Sequence, residues 1–415
     1  MRNTNKKGFT VVELVIVIAV IAILAAVLIP TFAGIIHKAN IATDTAVAKN
    51  LNTAAISAGA KDFDSAIEAV KDAGYLLANL NAKADGCYFV WDDVNNQFLL
   101  VDTKNDYKVI YSNTEASAKS ATNWLVAVSD PEAIAAITAA GCGVKQIATD
   151  YEDLMANLAA GGEVYVDESV VLTNDNLIIL NNTNASTTIN LGNSQLNTSG
   201  MLEDVVPVQI KQGTVNINGG IIGAAGSYID SDGKLVNTPI KVSEGSTVKI
   251  NGTTFNIHSN GYTTFFGNVT VENATYNSKG TTIYCGNNGQ VILKNVTVNS
   301  SERFVWATNW NGNDHTSGTA CITINSGKFS GEGNTSTFAP IASYSGDIVI
   351  DGGDFTSNRE DGKLFQVMDN NGTITINGGS FNGIAFDKLT VEKVQELTLQ
   401  GVARETANGF VITLK

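Results

Sequence analysis

The sequence is short of proline, cysteine and histidine. Its 415 residues include five prolines, four cysteines and three histidines, against 39 glycines. There is no C-x-x-C pair and the histidines are scattered, so we expect no metal site and no cofactor. Few prolines beside many glycines favour short strands joined by tight turns over disorder or helix bundles. The composition therefore predicts a folded, mostly β chain.

Positive charge is also scarce. The formal net charge is −14, and no run of lysine or arginine occurs after residue 7. A nucleic-acid surface needs a basic patch, so we expect no nucleic-acid partner. The chain is longer than one ordinary compact domain, which predicts two or three units unless a repeat architecture extends one of them.

The cysteines stand alone at Cys87, Cys142, Cys285 and Cys321. In an oxidising compartment a bridge between Cys87 and Cys142 is one prediction, and two ordinary buried thiols are the alternative. Cys285 and Cys321 fall at different phases of the repeat described below, so we expect that they do not pair.

A long apolar run lies near the N-terminus. Within residues 9–29 only Thr10 and Glu13 are polar. At about 1.5 Å per residue, a helix of this length crosses about 30 Å of hydrocarbon, so the run predicts a membrane helix. Basic residues precede the run and no comparable cluster follows it. We therefore expect a cytoplasmic leader, a membrane-anchored chain and a translocated, extracytoplasmic body.

The residues around the start of this run form a motif. This motif is the segment Lys6-Lys7-Gly8-Phe9-Thr10-Val11-Val12-Glu13-Leu14. It resembles the class III leader of type IV pilins and type II secretion pseudopilins. The resemblance implies that a prepilin peptidase cuts between Gly8 and Phe9 and methylates Phe9. It also implies that Glu13 meets the N-terminus of a neighbouring subunit, because an unpaired ionisable residue in a bilayer costs about 2.5–3.5 kcal/mol. The alternative is an uncleaved single-span anchor.

The helix is expected to continue beyond the membrane. Pro30 stands where pilin helices commonly kink or locally melt, and a simple interfacial break is the alternative. In residues 31–58 apolar side chains recur at helical spacing, which predicts an amphipathic stalk.

Residues 61–148 resemble the small helix-plus-sheet head of a pilin. Turn signals and apolar runs predict helices at 61–72 and 131–141 and strands at 88–91, 97–101 and 124–128. A capping box at Thr149-x-x-Glu152 is expected to open a further helix that ends at Gly161, and we place the domain boundary near residue 148.

One pattern recurs from residue 189 onward: apolar, x, apolar, polar, small, x, x, bulky apolar. Copies begin at Ile189, Val215, Val248, Val269, Val291, Ile322, Ile348 and Ile374. Alternating apolar residues before an Asn-Gly type step predict a strand and a bend, and short apolar runs between copies predict further strands in each coil. A fixed template at variable spacing is typical of a solenoid. The pattern resembles the right-handed parallel β-helix of the pectate-lyase-like superfamily.

A polar ladder is predicted at the bend. Its members share one template position: Asn218, Asn251, Asn325, Asp351 and Asn377. Glu272 and Lys294 occupy the same position and are expected to interrupt it. Residues 410–414, where the template has decayed, are expected to form a capping strand.

Catalysis must be considered, because parallel β-helices include polysaccharide lyases and hydrolases. Such an enzyme needs converging carboxylates, or calcium-binding Asp residues beside a base. The richest neighbourhood consists of Asp347, Asp351, Asp354, Arg359, Glu360, Asp361 and Asp369. It shows no stacked Asp pair, His-Gly step or regular Asp ladder. We interpret it as a solvated acidic loop and predict no enzyme activity.

Two tryptophans form the candidate ligand site. Trp306 and Trp310 lie in residues 303–315, interpreted as a long insertion between coils that is rich in amide side chains. Exposed tryptophans suit stacking on sugar rings. The alternative is that one or both cover the core under a loop.

Together these patterns predict four segments: a leader at 1–8, a transmembrane stalk helix at 9–60, an α+β head at 61–148, and an all-β parallel β-helix at 149–415 with a cap at each end. We predict a non-enzymatic pilin-like subunit at the cell surface or in a pilus, whose β-helix serves adhesion or the recognition of a glycan or surface. We expect it to be minor or at the tip, because so large a head would crowd a dense filament. Expected partners are a prepilin peptidase, other pilin-like subunits, the cytoplasmic membrane, and a glycan or host surface. A type II secretion pseudopilin and a membrane-tethered polysaccharide lyase or hydrolase are the alternatives.

Overall fold

The computed structural model describes residues 11–75, 80–118, 123–127, 131–167, 170–196, 205–223, 238–257, 261–309, 320–334 and 336–415. The chain divides into two units. The first, called the N-terminal unit, comprises residues 1–75, 79–126 and 135–144. The second, called the solenoid unit, comprises residues 76–78, 127–134 and 145–415.

A long helix, α1 (Val11–Ala58), opens the described part of the N-terminal unit. Its 48 residues give a length of about 72 Å, more than twice the thickness of bilayer hydrocarbon. The helix continues through Pro30, and the Thr31 hydroxyl donates to the Val27 carbonyl oxygen at 2.8 Å. The membrane segment and the stalk are therefore one helix, with neither a melted turn nor a break at Pro30.

A second helix and an antiparallel sheet follow α1. Their bounds are α2 Phe63–Asp72, β1 Cys87–Asp92, β2 Gln97–Asp102, a 3-10 helix at Thr103–Asn105, β3 Lys108–Tyr111 and β4 Asn123–Ala127. The strand order is β3–β2–β1–β4. α2 begins at a capping box between Asp62 and Ser65. The predicted helix and hairpin are confirmed.

Two buried polar side chains of α1 bind the backbone of the rest of this unit. The Asn52 carboxamide pairs with both backbone groups of Phe98 in β2. The Asp44 carboxylate accepts the N–H groups of Lys83 and Ala84 at 3.0 and 2.8 Å. Because buried polar groups are costly when unpaired, these bonds specify where the helix packs on the head.

The elements after β4 are short strands with a few helices. In chain order they are α3 Pro131–Ala139, β5 Val144–Ala148, α4 Tyr151–Ala160, β6 Glu163–Val166, β7 Ile178–Leu196, β8 Val208–Ile222, β9 Ile240–Val242, β10 Thr247–Asn251, β11 Thr254–Ile257, β12 Thr263–Phe265, β13 Asn268–Glu272, β14 Thr275–Ser278, β15 Ile283–Gly286, β16 Gln290–Lys294, β17 Val296–Ser300, β18 Val305–Thr308, β19 Cys321–Ile324, β20 Gly327–Ser330, β21 Ile341–Tyr344, β22 Asp347–Ile350, β23 Asp354–Phe355, β24 Phe365–Val367, β25 Thr373–Ile376, β26 Ser380–Phe381, β27 Ile384–Ala385, a 3-10 helix at Phe386–Lys388, α5 Val391–Glu396, β28 Thr398–Gln400, β29 Val402–Glu405 and β30 Phe410–Thr413.

The strands of the solenoid unit form three parallel sheets, which we name A, B and C. Each coil passes through them in the order C, A, B. Sheet A contains β5, β6, β7, β8, β10, β13, β16, β19, β22 and β25. Sheet B contains the ends of β7 and β8, then β11, β14, β17, β20, β23 and β26. Sheet C contains the starts of β7 and β8, then β9, β12, β15, β18, β21, β24 and β28. The predicted parallel β-helix is confirmed.

The register agrees with the repeat in seven of the predicted copies. Each first residue from Val215 to Ile348 pairs with the first residue of the next copy, the last of which begins at Ile374. The copy placed at Ile189 is wrong by two residues, because Ile189 pairs with Ile217 and Thr187 pairs with Val215. β7 bulges before Leu196 and so regains the register there.

The polar ladder differs from its prediction. Asn218 donates to Asn190, and Asn377 donates to Asp351, as the template position requires. In the middle coils, however, the ladder runs one residue later, from Asn295 to Asn273 and from Asn273 to Asn251, at 2.8 and 2.9 Å. Asn273 and Asn295 adopt positive φ values of 54° and 51°, a conformation that asparagine tolerates. Of the remaining members of the predicted row, Asn325 makes no side-chain hydrogen bond in the described part of the chain, and Glu272 pairs with Lys249 and Lys294.

Apolar side chains from all three sheets fill the interior. Phe329, Phe355 and Phe381 stack on one another, with ring centroids 4.7 and 5.2 Å apart. At the first coil, Leu154 and Leu158 of α4 are fully buried in the same core. α4 begins one residue later than the predicted capping box, because Asp150 is the N-cap residue. At the last coil, β30 pairs antiparallel with β25.

Candidate functional sites

The first candidate site is the start of α1. Glu13 lies in its first turn, and the neighbouring side chains of Val12 and Leu14 are 66% and 56% exposed. Gly8 and Phe9, the predicted processing residues, lie outside the described residues. The exposed apolar surface of α1 extends to Ile36, and α1 has the length and hydropathy of a membrane-spanning helix. Burying this surface requires either a bilayer or other chains.

The second candidate site lies on sheet C. Trp306 belongs to β18, where it pairs with Tyr284 of β15 and Ala342 of β21, so its predicted place in an insertion loop is wrong. Val305 and Ala307 on either side of it are buried, and Trp306 points outward and is half-buried. Trp310 lies outside the described residues.

An aromatic row runs along the outer face of sheet C. It consists of Tyr262, Phe266, Tyr284 and Trp306. Tyr284 is its centre, with ring centroids 5.1 Å from Tyr262, 6.0 Å from Phe266 and 5.1 Å from Trp306. All four side chains are half-buried, so their rings contact each other while part of each remains accessible. Burial raises the pKa of the Tyr284 phenol to about 12, which keeps it a neutral hydrogen-bonding group.

A glycine makes this packing possible. A Cβ atom at Gly286 would lie 2.6 Å from the Phe266 ring and 2.9 Å from the Tyr284 ring. Any larger residue would therefore push the two rings apart. The backbone of β15 thus contributes to the shape of the aromatic row.

Arg303 closes one end of the row. Its guanidinium carbon lies 4.0 Å from the ring centre of Trp306 and 4.4 Å from that of Phe338. The Nε–H donates to the Thr281 hydroxyl at 2.8 Å. Burial lowers the pKa of Arg303, opposed by the charge of Glu302, and a guanidinium remains protonated in any case.

A polar cleft adjoins Phe338. It has a volume of about 340 Å³ and is lined by Gly333, Asn334, Ser336, Arg359, Glu360 and Asp361. Arg359 holds its wall, because Nη1 donates to the Ser336 and Phe338 carbonyl oxygens while Nε and Nη2 bind both oxygens of Asp361. The aromatic row and the polar cleft therefore share the segment around Phe338.

Sheet C is the face that the long connections border. The connections from sheet A to sheet B are short, at residues 252–253, 273–274, 295, 325–326, 351–353 and 377–379. Longer stretches between consecutive described strands, such as residues 223–239, 309–320 and 331–340, enter or leave sheet C. In solenoids, insertions mark the face that commonly binds partners.

The acidic neighbourhood does not converge. Asp347 accepts from Thr373, Asp351 accepts from Asn377, and Asp361 pairs with Arg359. Within the described residues no three His, Cys, Asp or Glu side chains are grouped as metal ligands would be.

All four cysteines are free in the structure. Burial, with the charges of Asp102 and Asp44, raises the pKa of Cys87 to about 11. Burial likewise raises the pKa of Cys285 to about 12, and its thiol donates to the Gly289 carbonyl oxygen at 3.2 Å. For Cys87, the structure therefore shows the buried-thiol alternative.

Sequence reasoning missed most of the aromatic row. The alternation of Val305, Trp306 and Ala307 was the available signal for a strand, but amide-rich residues nearby favoured a loop. The partners of Trp306 come from other coils, so no local pattern could bring Tyr284 beside it.

Comparison with known proteins identifies the N-terminal region. The prokaryotic N-terminal methylation motif family matches residues 3–29. The type IV wide pilus major component PilA4 of Thermus thermophilus is 33% identical over 129 residues, which are 96% of that protein and 31% of this chain. No solved structure matches the chain. The motif and the relative imply processing by a prepilin peptidase and assembly with other pilin-like subunits.

Proposed function

This chain belongs to the type IV pilin family, and on that premise we propose that it is a minor or tip subunit that displays its solenoid unit outside the cell to bind glycans, without acting as an enzyme. The observation that carries the proposal is the aromatic row on a second unit that is much larger than a pilin. The matched pilin is nearly all accounted for by 129 residues, whereas the solenoid unit includes all of residues 145–415.

The size difference supports a low copy number. Filament assembly brings the α1 helices of many subunits together, because their exposed apolar surface is buried against one another. A second unit attached to every subunit would have to find space around that helical core. A subunit that occupies only the tip, or only a few positions along the filament, does not have to find that space.

Glycan binding fits the chemistry of sheet C. Half-exposed rings of Tyr284 and Trp306 offer flat apolar faces for sugar rings, and the Tyr284 phenol offers a hydrogen bond. The neighbouring polar cleft presents amide, hydroxyl and charged groups to sugar hydroxyls. The absence of catalytic activity is part of the proposal, because three carboxylates of the acidic neighbourhood, those of Asp347, Asp351 and Asp361, are each engaged by a separate partner.

Binding can be tested on cells of the native host. Wild-type cells and a strain carrying Tyr284→Ala with Trp306→Ala would be applied to an array of neutral and acidic glycans. We expect the double variant to lose binding by about ten-fold or more, because each stacked aromatic contributes about 1 kcal/mol or more. Tyr111→Ala, in the N-terminal unit, is the control for removing a partly exposed ring. Equal binding by all three strains, with equal surface amounts of folded protein, would refute the ligand site.

The place of the subunit can be tested in sheared filaments. Quantitative mass spectrometry should find this chain at a small fraction of the most abundant pilin. Equimolar amounts would contradict a minor or tip role. If deletion instead blocks protein secretion and leaves adhesion intact, the pseudopilin alternative is correct. Depolymerisation of a glycan by the purified protein would overturn the non-enzymatic part.

A further inference from the structure

We propose that the ligand of the aromatic row is an anionic polysaccharide, whose carboxylate or sulfate group pairs with Arg303. This inference rests on the proposed glycan-binding function and adds the charge of the ligand. The argument depends on three features of sheet C: a fixed guanidinium, the lack of a salt bridge to it from the described residues, and a second cation at the other end of the row.

Arg303 is held in place before any ligand arrives. The rings of Trp306 and Phe338 lie on its guanidinium, and the Thr281 hydroxyl fixes Nε. A planar guanidinium held between rings loses little entropy when it binds an anion. It is therefore suited to pair with a planar carboxylate or a sulfate rather than merely to cover the core.

Arg303 forms no salt bridge within the described part of the chain. No carboxylate lies within salt-bridge distance of its guanidinium there, although Glu302 is its neighbour in sequence. Its Nη1 is buried and has no hydrogen-bond partner among the described residues. A half-buried cation without an anion is unfavourable, and a bound anion removes that cost.

A second cation lies at the opposite end of the row. Lys241 is exposed, and its Nζ lies 5.8 Å from the ring centre of Phe266. It forms no ion pair with the described residues. Two such cations beside one aromatic row are notable on a chain with a net charge of −14, because the rest of the surface repels anions and this face attracts them.

Three other cations of the solenoid unit are paired within the fold. Arg359 in the polar cleft is paired with Asp361, and Lys249 and Lys294 are both paired with Glu272. These groups are already neutralised by partners in the fold. The polar cleft therefore suits neutral parts of a glycan, and the anionic group belongs at Arg303.

The test uses the full chain in detergent micelles and two pairs of polymers that differ only in charge. Polygalacturonate is compared with its carboxyl-reduced form, and dextran sulfate with dextran. We expect at least about ten-fold tighter binding of one or both anionic polymers than of the neutral counterpart, weakening as salt is raised. The two pairs distinguish a carboxylate from a sulfate.

Arg303→Met removes the charge and keeps a chain that packs between the rings. It should abolish the preference for the anionic polymer, because the charge that pairs with the anionic group is gone. Arg404→Met, at an exposed position of β29, is the matched control and should retain the preference. Unchanged melting temperatures in both variants would show that the fold is intact. If Arg303→Met unfolds, Arg303→Lys provides the second reading, since it keeps the charge and should retain part of the preference.

The outcomes separate the inference from the proposed function. Equal binding of charged and neutral polymers by the wild type, or an anionic preference that survives Arg303→Met, would overturn the inference and leave the glycan-binding function standing. Failure to bind any of the four polymers would overturn the inference as well. Failure on the wider glycan array would then remove the proposed function itself.

Discussion

Asn52 pairs with both backbone polar groups of Phe98. Its Nδ2 donates to the Phe98 carbonyl oxygen at 2.8 Å, and its Oδ1 accepts from the Phe98 N–H at 2.7 Å. Asn52 is 1% exposed and Phe98 is fully buried. One side-chain amide thus fixes the rotation and the axial position of α1 on the antiparallel sheet of the N-terminal unit.

Asn52→Ala should destabilise the N-terminal unit by about 2–4 kcal/mol, because two buried backbone groups lose their partners. The measurement is the urea dependence of Cys87 labelling, since this thiol is buried in the same unit. Asn50→Ala, at an exposed position of α1, is the control and should change little. Identical midpoints for both variants would show that the pair contributes nothing.

The thiol of Cys87 should react slowly at neutral pH. Because burial and nearby carboxylates raise its pKa to about 11, the folded unit favours the neutral thiol. The stability from this group is complete below the unfolded pKa and is lost as pH rises through the folded value. Alkylation followed by peptide mass spectrometry should give a rate that rises about ten-fold per pH unit between pH 8 and 10. A plateau near pH 9 would contradict the raised pKa, and the unfolded chain in urea is the reference.

Gly327→Ala should strongly destabilise the solenoid unit. Gly327 has a φ of 143°, and a Cβ there would lie 2.2 Å from the Val296 carbonyl oxygen of the preceding coil. We expect a cost of about 3 kcal/mol or more, seen as a lower melting temperature by circular dichroism. Gly245→Ala is the matched control, because φ is also positive there but the space is open. It should cost about 1–2 kcal/mol, and equal losses would mean that close coil packing is unimportant.

Gly8→Val should block processing. A residue with a bulky branched side chain hinders the close approach of a protease to the bond before Phe9. Mass spectrometry of wild-type cells should find a chain that begins with methylated Phe9, and cells with Gly8→Val should retain the leader. A wild-type chain that still begins at Met1 on the surface would instead indicate a plain membrane anchor.

Glu13→Val should leave processing intact and prevent assembly. The substitution keeps the helix apolar, so insertion into the membrane continues, but the partner for a neighbouring N-terminus is lost. Cell fractionation should find the processed variant in the membrane and not in sheared filaments. Glu13→Asp, which keeps the charge, is the control. Wild-type amounts of Glu13→Val in filaments would refute the assembly role.

The fold could be predicted from the sequence where the pattern is local or strictly repeated. The apolar run of α1 and the template from Val215 to Ile374 both show a regular spacing of apolar residues. That spacing follows from which face of the helix or strand is buried. Pro30 was misjudged because a helix tolerates one missing hydrogen bond when the flanking turns continue. The copy at Ile189 was misplaced because a bulge hides two residues from a fixed template.

The candidate ligand site was predicted only in part, because it is assembled across coils. Trp306 was identified, but its strand and its partners were not. Tyr284 and Arg303 become important through stacking between residues that lie at least one strand apart in the chain. A single sequence shows where the coil repeats. It does not show which outward-facing residues of the strands remain uncovered by the rest of the fold.

The short corners between sheets A and B and the long connections beside sheet C impose different constraints on inherited change. An insertion at a corner such as 252–253 would shift every pairing of its coil, and selection for folding would remove it. An insertion in residues 223–239 or 331–340 leaves the pairings as they are. Lineages are therefore free to diversify the border of sheet C, and this border should change faster in sequence than the strands that it flanks.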